Sequence, residues 1–189
     1  MVKLDRIYTR GGDAGVTSLA DGTRVDKHCP RIVAQGEVDE ANCAIGLARY
    51  HMGEAGEGSV LAEVQHDLFD LGADIAVPLD GGGGGRIRIG AERIAALEQA
   101  IDLHNGSLAP LTSFVLPGGS GAAAHLHLAR AVVRRAERAL SALAAAEPVN
   151  PEAVRYLNRL SDLLFVLARC HNDHGRTDVL RQPGPRRGA

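Results

Sequence analysis

This 189-residue chain predicts an all-α fold, a five-helix bundle behind an irregular N-terminal arm. Three observations predict it. Aromatic residues make up only 3% of the chain while alanine occurs 29 times, and alanine interleaved with leucine favours close-packed helices over a sheet. Apolar residues recur at three- and four-residue steps, the spacing of one helical face. Capping residues and glycine or proline breaks divide the chain into five such stretches.

The arm comes first. Residues 5–30 carry glycine-punctuated Ile7-Tyr8-Thr9-Arg10-Gly11-Gly12-Asp13-Ala14-Gly15 and no helical period. From Arg31 to about Tyr50, Val38, Ala41, Ile45 and Ala48 mark the first helix. A glycine-rich loop then leads to Ser59, expected as an N-cap with Glu63 in the first turn. Leu61, Val64, Leu68, Leu71 and Ile75 step through the second helix, which Pro78 and the linker Gly81–Gly85 close. A third helix, about Ala91 to His104, stops at Asn105-Gly106. The longest runs from about Ser120 to Ala146. Asn150-Pro151, a cap followed by proline at the first helical position, opens the last, which ends near His171. The expected organisation is one domain over residues 1–175, with the arm in 1–30 and the bundle in 31–172. A tail over 176–189 is expected to be disordered.

Composition excludes several function classes. The formal charge of −2 lacks the basic excess of a nucleic-acid binder. No apolar run approaches the ~18 residues of a membrane span. With three unspaced cysteines and no leader-like N-terminus, a soluble cytoplasmic protein is expected. The net charge hides a split, however. Residues 1–31 hold 6 basic and 4 acidic groups, residues 32–124 hold 4 and 13, and residues 125–189 hold 11 and 6.

On the long helix, at about 100° per residue, Arg134, Glu137 and Arg138 fall about 40°, −20° and 80° around the axis from Arg130. Leu128, Val132, Val133, Ala136, Ala139 and Leu140 lie opposite. Stacked arginines repel unless an anion neutralises them, and planar guanidinium groups suit a polyphosphate. A plain solvated face is the competing reading. In the arm, Gly11 to Gly15 offer backbone amides, Thr17 and Ser18 add hydroxyls, and Lys27 adds a charge, all suited to phosphate. No GxxxxGK[ST] loop is present, and an ordinary turn is the alternative. Asn158 and Asp162 share one side of the last helix with Phe165 and Arg169. Asp39 shares a face with Asn42 and would reach an arginine of the long helix. Phe114 is either a core anchor or a functional ring. A single Glu63-x-x-His66 falls short of a di-iron site, Cys170-His171 and His174 lack a second ligand pair, and His125 and His127 point to different faces.

Five segments occur in order: Thr9 to Gly15, Gly36-Glu37-Val38-Asp39-Glu40-Ala41-Asn42, Phe114 to Gly119, Arg130 to Arg138, and Tyr156-Leu157-Asn158-Arg159-Leu160-Ser161-Asp162. Together they resemble the corrinoid adenosyltransferases of the propanediol-utilisation type, which are ATP:cob(I)alamin adenosyltransferases. The resemblance spans roughly residues 5–172. It implies a homotrimer with ATP between subunits, Mg²⁺ held through the ATP phosphates, and transfer of the 5′-deoxyadenosyl group to reduced cobalamin with release of triphosphate. By resemblance, the ATP contacts are Thr9, Arg10, Gly11, Gly12, Thr17, Ser18, Lys27, Arg134, Arg135, Glu137, Arg138 and Asn158, with Arg134 catalytic. The cobalamin side is Phe114, beside an intersubunit salt bridge of Asp39 and Arg130. A flavin reductase and an adenosylcobalamin-dependent mutase are the further partners it implies. Ala14 and Val16 depart from the residues frequent in the family, a lysine and a threonine.

Overall fold

The computed structural model describes residues 7–53, 57–79, 87–182 and 184. Five helices follow a two-stranded hairpin: β1 (Val16–Ser18), β2 (Arg24–Asp26), α1 (Pro30–Met52), α2 (Glu57–Ile75), α3 (Ala91–Asn105), α4 (Gly121–Ala146) and α5 (Pro151–Cys170). Helix α1 packs against α2 and α4, α4 packs against α5, and α3 covers α5. None of the described helices is long and apolar enough to cross a membrane.

The apolar periods explain the packing. Val38, Ala41, Ile45 and Ala48 of α1 are all buried, as are Leu61, Val64, Leu68, Leu71 and Ile75 of α2. Small alanines (Ala34, Ala41, Ala48, Ala129, Ala136) line the α1–α4 region of the core and let the two axes approach. Leu128 leaves the expected face and is 53% exposed, at the edge of the α4 apolar arc. Tyr156 is fully buried, and its hydroxyl donates to Asp67 Oδ2 at 2.9 Å. Burial, reinforced by the Asp67 carboxylate, pushes that hydroxyl far above the usual phenol range. Arg93 closes the network on Asp67 at 2.8 Å and Asp70 at 2.6 Å.

Ser120 and Asn150 cap α4 and α5, accepting from the backbone N–H groups of Ala123 and Glu152, each at 3.1 Å. Ser59 is not a cap, because α2 is already helical at Glu57. The arm is more regular than expected. Val16, Thr17 and Ser18 pair antiparallel with Asp26, Val25 and Arg24, around a turn where Gly22 takes φ +89°. Three-residue strands are too short to show an alternating pattern. The Gly81–Gly85 linker lies outside the described residues.

The C-terminal segment also departs from the loose tail expected from Arg176 onward. Residues 177–181 run back along the loop before α4, with Val115 and Leu180 forming an antiparallel bridge. The Leu116 N–H donates to Val179 O at 2.8 Å, and the Arg181 N–H donates to Phe114 O at 2.7 Å. The reason is a buried ion pair between Arg169 and Asp178 at 2.9 Å, which tethers the segment before the proline-rich residues begin.

Candidate functional site

The predicted site residues gather into three groups. The first is the arm. Its loop turns through the Asp13 N–H to Arg10 O and the Gly15 N–H to Gly12 O, at 3.3 and 3.2 Å. The Lys27 N–H donates to Gly15 O at 2.9 Å and so lays β2 beside the loop. Lys27 Nζ is only 3.0 Å from where a Cβ on Gly12 would stand, so glycine is what lets the ammonium lie against the loop. Arg24, unremarked in the sequence, secures the arrangement. Its guanidinium donates to Gly11 O at 2.7 Å and to Ser18 Oγ at 3.1 Å. Arg10 has φ +61° and stands 5.6 Å from the Tyr8 ring centroid. Thr9 Oγ1 lies close to Gly11. The fold thus brings Thr9, Gly11, Gly12, Ser18 and Lys27 together, with Thr17 in the same strand as Ser18.

The second group lies along α4 and α5. Arg134 and Arg138 are exposed, and Arg138 donates to the Arg134 carbonyl at 3.0 Å. Asn158 donates to Glu137 Oε1 at 2.9 Å, tying the two helices at the stripe. Arg135 stands apart, bonded to Glu37 Oε2 at 2.5 Å and paired with Glu40 of α1. These two carboxylates, Glu37 first, hold its pKa above the ordinary arginine value. Asp162 turns to Arg159 at 3.1 Å. Among the described residues, no hydrogen bond or ion pair joins the arm to Arg134, Glu137, Arg138 or Asn158. The arm instead meets the bundle at the end of α2, where the Ala20 N–H donates to Ala76 O at 3.5 Å.

The third group is an apolar groove of about 680 Å³ lined by Phe114, Val115, Arg130, Phe165 and Arg181, among others. Phe114 is 77% exposed, so it is no core anchor. Arg130 is half-buried, and its Nε has no hydrogen-bond partner. Burial, then the charge of Arg134, lowers its pKa. Asp39 does not reach it: Asp39 is exposed on another groove, between α1 and α2, with Gln35, Asn42 and Phe69. Within the chain, the carboxylates of α1 that do meet an α4 arginine are Glu37 and Glu40, on Arg135. His127, which sequence spacing does not mark as a ligand, is buried beside Arg130 with both ring nitrogens unpartnered and its centroid 6.2 Å from that of Phe165. Burial, then the charge of Arg130, lowers its pKa below the ordinary imidazole value.

This arrangement supplies a cationic, amide-rich cradle for a polyanion and a separate apolar platform edged by an unpartnered guanidinium. A family model described as cobalamin adenosyltransferase matches residues 7–171. A cobalamin adenosyltransferase of Cupriavidus metallidurans is 48% identical over 182 residues, covering 95% of this chain and 96% of that protein. A corrinoid adenosyltransferase of Mycobacterium tuberculosis is 49% identical over 193 residues, covering 100% and 98%. In structure, a single-substitution variant of a PduO-type ATP:corrinoid adenosyltransferase from Lactobacillus reuteri, complexed with cobalamin and ATP, superposes with a TM-score of 0.87 at 34% identity, covering 94% of this chain and 97% of that one.

Proposed function

The chain belongs to the cobalamin adenosyltransferase family, and we propose that its reaction is run by residues drawn from two copies of it. It is an enzyme that transfers the 5′-deoxyadenosyl group of ATP to the cobalt of reduced cobalamin. The cobalt(I) electron pair forms the bond to C5′ while the C5′–O bond breaks. That bonding pair leaves with triphosphate, and cobalt ends formally as cobalt(III). Cobalt(I) is itself a strong nucleophile, so the protein needs no general base. Its tasks are in-line placement of C5′ and stabilisation of charge on the leaving group.

The separation of arm and stripe within one chain supports a shared site. The arm amides, Thr9, Arg10, Thr17, Ser18 and Lys27 hold the triphosphate from one copy, while Arg134 and Arg138 meet it from a neighbour. Arg135, Glu137 and Asn158 fix the neighbour's helices around the nucleotide. A homotrimer closes this arrangement on itself. The unpartnered Nε of Arg130 and the exposed carboxylate of Asp39, which has no ion pair among the described residues, then pair across the interface.

Mg²⁺ would be held through the ATP phosphates, beside Lys27, the arm amides and hydroxyls, Arg134 and Glu137. The groups gathered here are guanidinium groups, the Lys27 ammonium, backbone amides, hydroxyls and one carboxylate, Glu137, so few of them can ligate a cation. Among the described residues, no three or more His, Cys, Asp or Glu are grouped to hold an ion. Such a set fits an ion bound mainly by the triphosphate, which would supply charge stabilisation to the leaving group.

The observation that carries the cobalamin half is Phe114, a large apolar ring 77% exposed over the groove. Left in water it forgoes about 1.5–3 kcal/mol of burial. Set beneath the corrin, it displaces the lower axial base and leaves four-coordinate cobalt(II). Loss of that donor eases reduction to cobalt(I), with the electron supplied by a flavin reductase and the product passed to an adenosylcobalamin-dependent mutase in the cytoplasm. The test is anaerobic: ATP, Mg²⁺ and chemically reduced cobalamin are mixed with the protein, and formation of light-sensitive adenosylcobalamin is followed by absorbance. Turnover is expected. A folded protein that gives none contradicts the reading.

A further inference from the structure

We propose that Asp178 is a positioning residue for Phe114, acting through the backbone pairing of residues 113–116 with 179–181. The loop that carries Phe114 has no helix or strand of its own. What fixes it is the chain's C-terminal segment: the Arg181 N–H donates to Phe114 O, the Leu116 N–H donates to Val179 O, and Ser113 Oγ donates to Arg181 O at 2.8 Å. These three bonds flank Phe114 on both sides. They hold its backbone while its ring stays free.

The buried side-chain anchor of the segment is Asp178, beside a backbone bond from the Thr177 N–H to Asn172 O at 3.2 Å. The Asp178 side chain is 2% exposed and that of Arg169 7%. Asp178 accepts from Arg169 Nε at 2.9 Å and from Asn172 Nδ2 at 3.1 Å. Both partners also hold the loops around the groove. Arg169 donates to Ala109 O at 2.9 Å. Asn172 donates to Gly118 O at 3.2 Å and accepts from the Ser120 N–H at 3.1 Å. Gly119, at φ +104°, makes room for this, because a Cβ there would stand 2.0 Å from Asn172 Oδ1. Burying an ion pair costs desolvation that a hydrophobic pair avoids, so its value here lies in fixing geometry. One carboxylate near the C-terminus thus locks the end of α5, the entry to α4 and the Phe114 loop into one frame.

This assignment rests on the corrinoid reading of Phe114, so Phe114→Ala is measured beside it. The full chain is compared with Asp178→Ala, Asp178→Glu, Arg181→Pro, Arg181→Ala and the double variant Asp178→Ala/Phe114→Ala. The readouts are the four-coordinate fraction of cobalt(II) cobalamin bound with ATP, from its absorbance, and the ATP KM with chemically reduced cobalamin. A misplaced ring is expected to lower the four-coordinate fraction about tenfold in Asp178→Ala, with the ATP KM changed by less than about twofold. Asp178→Glu recovers part of the loss. The double variant is no worse than Phe114→Ala alone, because both changes act through one ring. Arg181→Pro, which removes the N–H donor, loses several-fold more than Arg181→Ala, which keeps the N–H and removes the same groove-lining side chain. If Asp178→Ala fails to fold, the Arg181 pair decides. A full four-coordinate fraction in folded Asp178→Ala or in Arg181→Pro overturns the assignment, as does an additive double variant or an equal rise in the ATP KM. If Phe114→Ala is itself unaffected, the reading of Phe114 falls and this assignment with it. A loss confined to Phe114→Ala overturns this assignment alone.

Discussion

Replacing Arg134 by alanine is expected to lower turnover by about 100- to 1000-fold, the scale on which a single preorganised donor to developing charge is felt. Arg134 is exposed and has no carboxylate partner among the described residues, whereas Arg135 next to it is taken by Glu37 and Glu40. Its charge therefore remains available to the triphosphate. It also stands against Arg130, whose pKa it helps lower, so the stripe carries a repulsion that a bound polyanion relieves. Arg138→Ala should cost less, since that guanidinium already donates to the Arg134 carbonyl. Because Arg134 is at the surface, its removal should leave the melting temperature almost unchanged. The measurement is kcat and the ATP KM from chemically reduced cobalamin. Unchanged kinetics would remove Arg134 from the phosphate site.

Phe114→Ala should separate the two oxidation states of the substrate. Starting from cobalt(II) with a reductase, the loss is expected to be about tenfold or more; from pre-reduced cobalt(I) it should be several-fold smaller, because the axial base is no longer bound there. The ring is 77% exposed, so stability should change by less than about 0.5 kcal/mol and any defect can be assigned to the reaction. Equal losses from both starting states would remove the axial-displacement role.

How much of this was legible in the sequence depended on the range of the interaction. Helix registers were legible, because burial repeats locally: every apolar residue from Leu61 to Ile75 that set the α2 period is buried. The stripe was legible for the same reason. Helical arithmetic also explains the residue that leaves it, since Arg135 falls about 140° from Arg130 and faces α1. Asp39 shows the limit. Its neighbours Glu37 and Glu40 meet Arg135, while it turns to the α1–α2 groove, and one-dimensional spacing did not say which carboxylate would face α4. Arg24 bonds Gly11 across thirteen residues, through a hairpin whose strands are too short for a periodic signal. Asp178 was concealed by the proline and glycine that follow it. A single buried carboxylate decided the course of residues 177–181, and composition carries no signal for such a contact. His127 was passed over as a ligand because it has no paired histidine; that it is buried and unpartnered is a fact of packing alone.

The central claim is that each active site joins the arm of one copy to the α4 stripe of another. Mixing protomers tests it directly. Lys27→Ala and Arg134→Ala proteins are each purified, then unfolded and refolded together, and adenosylcobalamin formation is compared with that of each variant refolded alone. If the site is shared, some interfaces in the mixed assemblies combine an intact arm with an intact stripe, so activity should rise well above either parent, towards about a quarter of wild type for random assortment. Activity in the mixture equal to the average of the two inactive parents would contradict the account and place the whole site within one chain.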